Sequence, residues 1–108
     1  MADALGHIHS TPAHRWTVAE LAQRVGMSRS SFCARFKRLV GEPPATYLTR
    51  WRMTLAAQAL RGSDRLSLRE LADKVGYGSE AALLKAFRRH HGTTPGAYRR
   101  ALASDLAM

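Results

Sequence analysis

An all-α fold of about seven helices, arranged as two helix-turn-helix units joined by one long helix, follows from three features of this sequence. The stretch Thr17–Gly26 recurs fifty residues later as Ser67–Gly76. Each copy opens on a hydroxyl residue with a glutamate three places on, the capping box of a helix start. Apolar residues recur at i, i+3, i+4 and i+7, and no stretch shows the two-residue alternation of a strand. The expected division is an N-terminal helix with the first unit over 1–42, a linker helix over 43–62, and the second unit with a C-terminal helix over 63–108.

The elements follow in order. A short helix is expected near Asp3–His9. The first unit begins at Thr17-x-x-Glu20, and its helix turns Val18, Leu21, Ala22 and Val25 to one side. Gly26 ends it, where a left-handed residue closes a helix. Small Ala22 lets a second helix cross closely, and that helix starts within about three residues. The second copy repeats every step with Ser67-x-x-Glu70, Leu68, Leu71, Ala72, Val75 and Gly76. Its turn is one residue longer, so Phe32 then pairs with Leu83, Phe36 with Phe87, and Lys37-Arg38 with Arg88-Arg89. Gly41-x-x-Pro44-x-x-Tyr47 likewise pairs with Gly92-x-x-Pro95-x-x-Tyr98. Between the units, Pro43-Pro44 starts a longer helix, since proline is tolerated in a first turn. Its apolar positions are Tyr47, Leu48, Trp51, Met53, Leu55, Ala56, Ala59 and Leu60, and Gly62 ends it. Pro44 to Leu60 spans about 25 Å at the helical rise. A last helix runs from Pro95 to about Ala103.

Composition bounds the function. Of 108 residues, 45% are hydrophobic and 23% charged, enough apolar material for a core and unlike a disordered chain. No apolar run approaches the roughly 20 residues of a membrane span, and no basic-then-apolar leader opens the chain. A single cysteine, Cys33, excludes an internal disulfide framework and suits a reducing cytosol. The formal charge is +9, and all seventeen Lys and Arg lie between Arg15 and Arg100. Such self-repulsion points to a polyanionic partner, nucleic acid first. Arg29, Arg35, Lys37 and Arg38 form one run without an acid; Lys85, Arg88 and Arg89, followed by His90 and His91, form another. One basic run reads most simply as a solvated helix face. Two at matching places in a repeat do not.

Other residues support no second chemistry. His7, His9 and His14 lack a carboxylate or cysteine partner at metal-ligand spacing, so no metal is expected. Trp16 and Trp51 read as core or core-edge aromatics. No nucleophile–base pair, glycine-rich phosphate loop or carboxylate dyad suggests an enzyme, and no cofactor is expected.

Helical geometry assigns the faces of the two second helices. Along Arg29–Val40 the arc containing Phe32, Phe36 and Leu39 must meet the core, leaving Ser30, Ala34, Lys37 and Arg38 outward with Ser31 and Cys33 beside them. Along Ser79–His91 the inward arc is Leu83, Phe87 and His90. Ala81, Lys85, Arg88 and Arg89 face outward, with Ala82 and Leu84 alongside.

With these motifs in place the chain resembles the DNA-binding domain of AraC/XylS-family bacterial transcriptional regulators, over roughly Leu5–Leu102. The most specific match is Leu71-Ala72-x-x-Val75-Gly76-Tyr77, then Phe87-Arg88-Arg89, then Gly92-x-x-Pro95-x-x-Tyr98-Arg99; Trp51-Arg52-Met53 is similar to the family's linker helix. Leu83 departs from the family's usual aromatic, which touches core packing. The resemblance implies two recognition helices in the major groove of double-stranded DNA, and a cytoplasmic, nucleoid-associated protein. Most members also carry an effector-binding or dimerisation domain. The family's base-reading positions map onto Ser30, Cys33 and Ala34 in the first helix and onto Ala81, Leu84 and Lys85 in the second.

The cations divide by role. Lys37, Arg38, Arg88 and Arg89, at the helix C-terminal ends, suit phosphate oxygens, which fix position without reading sequence. Arg29 and Arg35 complete the phosphate set and are the only long donors of the first head that can swing to a base. Helix N-termini near Thr17 and Ser67 can add phosphate contacts. One chain holds two heads, so binding as a monomer is expected, with RNA polymerase a further candidate partner. The rival reading is a basic helical module that binds an acidic protein.

Overall fold

The computed structural model describes residues 1–62 and 66–107, with side chains described through residue 104. Seven α-helices are seen among them and no strand: α1 (Ala2–Ser10), α2 (Val18–Arg24), α3 (Arg29–Val40), α4 (Pro44–Gly62), α5 (Leu68–Val75), α6 (Glu80–His91) and α7 (Pro95–Ala107). The element order matches the expected fold class.

Each helix start carries its own chemistry. Ser67 accepts a hydrogen bond from the Glu70 amide, and the Glu70 carboxylate accepts one from the Ser67 amide, so the second capping box is complete. At α2 only half of the box forms. Thr17 accepts from the Glu20 amide, but the Glu20 carboxylate turns to His14 Nε2, 2.8 and 3.0 Å away. The loop before the helix outcompetes the cap.

Two hydrophobic clusters form, one in each half. The first gathers Ala4, Ile8, Trp16, Leu21, Ala22, Phe32, Phe36 and Leu48. The second gathers Met53, Ala56, Leu60, Leu71, Ala72, Val75, Leu83 and Phe87. Helix α4 thus serves both: its first turns enter one cluster and its later turns the other. Leu83 is fully buried, so a branched aliphatic fills the second core there. The repeat holds in detail. Phe36 meets the Tyr47 ring edge-on at 5.6 Å, and Phe87 meets Tyr98 in the same way at 5.6 Å.

The histidine-rich N-terminal stretch serves packing. His7 lies against Trp16 at 5.6 Å, and His9 sits 2.6 Å from the Tyr47 hydroxyl and stacks near Trp51. Trp16 is buried and Trp51 half-buried, as core and core-edge residues.

Two expected core positions are corrected. Leu39 is exposed, at 56% of its surface, and His90 is exposed too. Their successors turn inward. Val40 packs on the first cluster, and His91 lies 4.4 Å from Phe87 with Nε2 3.2 Å from the Met53 carbonyl. At the end of each helix the neighbour is α4, and the i+4 row from Phe36 or Phe87 points toward it.

Candidate nucleic-acid interface

Helices α3 and α6 are built alike. Ser28 caps α3 by accepting from the Ser31 amide at 3.2 Å, and Ser79 caps α6 by accepting from the Ala82 amide at 3.1 Å. Gly41 and Gly92 close them in the left-handed region, at φ 97° and 74°. Phe32 and Phe36 anchor α3 from beneath, and Leu83 and Phe87 anchor α6. Val40, Ala86 and His91 pack beside these anchors, and the opposite side of each helix faces outward.

On α3, Arg29, Ser30, Ala34, Arg35, Lys37 and Arg38 are exposed and Cys33 is half-buried. On α6, Ala81, Lys85, Arg88 and Arg89 are exposed and Leu84 is half-buried. The six base-reading candidates therefore sit on the outer side of their helices, two exposed and one half-buried in each head. Cys33 borders a shallow hollow of about 330 Å³ with Val18, Pro43, Pro44 and Ala45. Leu84 borders one of about 340 Å³ with Ser67, Leu68, Pro95 and Gly96. Lys85 does not share Leu84's hollow. It lines a larger one of about 530 Å³ with Thr49, Ala82, Ala86, Arg89 and His90, on the side of α6 that looks toward α4.

The two helices concentrate cations on these outward faces. Among the described residues, carboxylates pair with His14 and Arg24 (through Glu20), with Arg50 (through Glu42) and with Arg69 (through Asp73). No such pair involves a cation of α3 or α6. Arg29, Arg35, Lys37, Arg38, Lys85, Arg88 and Arg89 thus have no carboxylate partner among the described residues. His90 extends the second set. Partial desolvation against its neighbours lowers its pKa below the ordinary histidine value, and the nearby His91 and Arg50 lower it further.

Sequence reasoning missed two parts of this surface. The exposed Leu39 and His90 flank the cations at both C-terminal ends. Nothing in the repeat decided between Leu39-Val40 and His90-His91, because each pair holds two residues of one polarity. Thr49 enters Lys85's hollow from α4, a proximity that no local pattern encodes.

The comparisons with known proteins agree with this geometry. A family profile described as a helix-turn-helix domain matches residues 21–101. A putative AraC-like transcription regulator of Streptomyces antibioticus is 54% identical over 101 residues, which cover 93% of this chain and 33% of the relative. The chain belongs to the AraC-type helix-turn-helix family. The regulator AlkR of Acinetobacter baylyi is 42% identical to this AraC-type domain over 99 residues, covering 92% of the chain and 32% of AlkR. Among solved structures, the DNA-binding domain of the global transcriptional factor AdpA, determined with a target DNA, superposes with a TM-score of 0.90. It is 35% identical, with 96% of this chain and 93% of that one covered. The AraC-type domain spans about a third of the length of the curated relatives it matches.

Proposed function

We propose that this domain binds double-stranded DNA sequence-specifically, as the reading unit of a transcription regulator. Its two heads enter successive major grooves on one face of the duplex. One observation carries the reading: α3 and α6 are equivalent helices whose outward faces join small side chains to cations that have no carboxylate partner among the described residues. A helix of roughly 10–12 Å diameter fills a major groove about 12 Å wide. Ser30, Ala34 and Ala81 let it sit deep. Helix α4, with 19 residues, is about 28 Å long, and the molecule extends 49 Å, which suits grooves roughly 34 Å apart.

The roles follow from side-chain chemistry. Lys85 donates to guanine O6 or N7, Ser30 bonds several bases, and Cys33, Ala34 and Leu84 meet thymine methyl groups. Ala81 offers close approach. Arg29, Arg35, Lys37, Arg38, Arg88 and Arg89 hold phosphates. One chain supplies both heads, so a monomer covers an asymmetric site. Its place of action is the nucleoid in the cytoplasm, and RNA polymerase is the protein it meets at a promoter.

Selection of bound duplexes from a random pool, followed by competition, tests this reading. A selected duplex should outcompete random duplex by roughly a thousandfold, the low end for specific binders. Equal competition would leave only non-specific binding or an acidic protein partner.

A further inference from the structure

Arg52 stands on α4 between the two clusters and reaches both. Its Nη2 donates to the Trp16 carbonyl oxygen at 2.8 Å, and its guanidinium lies over the Tyr77 ring, 5.6 Å from the centroid. Trp16 belongs to the first cluster, where its indole Nε1 also donates to the Thr11 carbonyl at 3.2 Å. Tyr77 packs on the second cluster, with its amide bonded to the Ala72 carbonyl at 2.8 Å. A carbonyl anchored in one half and a ring anchored in the other thus share one cation.

The backbone closes around the same point. A methyl group placed on Gly76 would stand 3.0 Å from the His14 carbonyl oxygen and 3.2 Å from that of Pro12, so the α1–α2 loop lies directly against the α5–α6 turn. The Arg15 guanidinium lies similarly against Gly78. Burial pushes the Arg52 pKa down and the Tyr77 pKa up. A half-buried arginine bonded to a carbonyl and an aromatic face, with no carboxylate partner among the described residues, is an uncommon arrangement that orients rather than neutralises.

We infer that Arg52 is a positioning residue that clamps the two heads at one separation and angle, and thereby fixes the spacing between the half-sites the domain accepts. The inference rests on the reading that both heads engage one duplex. One inserted base pair moves a half-site by about 3.4 Å and turns it by about 35°. Heads locked across Arg52 cannot follow that change; heads pivoting on α4 can.

The test uses a duplex selected by the wild-type protein and derivatives with one base pair added or removed between the half-sites. Wild type should prefer the selected spacing by roughly tenfold, a difference of about 1.4 kcal/mol. Arg52→Gln should bring the ratio within about threefold, while base preferences inside each half-site stay as they were. Tyr77→Leu should act in the same direction, and Tyr77→Phe, which keeps the ring, should retain the wild-type ratio. If Arg52→Gln does not fold, as judged by circular dichroism, the Tyr77 pair decides the matter. A folded Arg52→Gln or Tyr77→Leu protein with the wild-type ratio overturns the clamp. Wild type indifferent to spacing likewise overturns the clamp, whereas a single protected patch in a footprint of the selected duplex would overturn the two-head reading beneath it.

Discussion

Cys33 and Leu84 occupy the same place in the two heads, each half-buried at the rim of a hollow floored by matching residues. Val18 and Pro44 line the first, and Leu68 and Pro95 the second. The heads are therefore duplicates in architecture that differ in the side chains at their outer rims. One presents a thiol among small side chains, the other a larger aliphatic one helical step from Lys85.

That difference predicts uneven reading. None of the six proposed base-reading positions carries the Arg, Asn or Gln that makes a bidentate base contact, so each should contribute at or below the low end of roughly 1–3 kcal/mol. The selected site should be degenerate. Lys85→Ala should relax preference at one or two adjacent positions, where guanine is favoured. Leu84→Ala should weaken a thymine preference, and uracil in place of that thymine should reproduce the loss. Sequencing of selected sites checks all three.

The free cations predict a steep salt dependence. Arg38→Ala and Arg89→Ala should each weaken binding to all sequences alike and flatten the log–log salt slope by roughly 0.9. Titrations at several salt concentrations measure it. An altered base preference with an unchanged slope would remove these residues from the phosphate set.

Much of this was legible in the chain, and the exceptions have physical causes. The duplication, the caps at Thr17 and Ser67 and the buried Phe36 and Phe87 follow from periodicity and local hydrogen bonding, which the sequence encodes directly. Leu39 and His90 were misplaced because the final turn of a helix answers to whichever element crosses it, and α4 crosses on the side of Val40 and His91. The half-formed cap at Thr17 has the same origin. His14, from the preceding loop, takes the carboxylate that local rules assign to the helix start. The position of Lys85 beside Thr49 and the reach of Arg52 across both clusters are tertiary facts without a local signature.

Glycine substitutions should separate strain from contact. Gly26 and Gly76 both have positive φ, 72° and 90°, but only Gly76 faces backbone oxygens within 3.2 Å. Gly26→Ala should cost about 1–2 kcal/mol for its backbone conformation alone. Gly76→Ala carries the same penalty and must also push the Pro12–His14 loop away, so its loss should be larger. Thermal or urea unfolding of the two variants measures the difference.

The pH dependence has a definite sign. Partial desolvation, with His91 and Arg50 nearby, lowers the His90 pKa in the free protein. A phosphate beside Arg89 favours its charged form, so the pKa is higher in the complex and binding takes up a proton. Affinity should rise as pH falls through the histidine range, and His90→Gln should reduce that rise. Identical pH profiles for the two proteins would place His90 away from the DNA.

Hydroxyl-radical footprinting on a selected duplex tests the central claim most directly. Two protected patches on one face, centred about 34 Å or one helical turn apart, are expected from a single bound chain. A single patch, or even protection without a boundary, would contradict a domain that reads DNA with both α3 and α6.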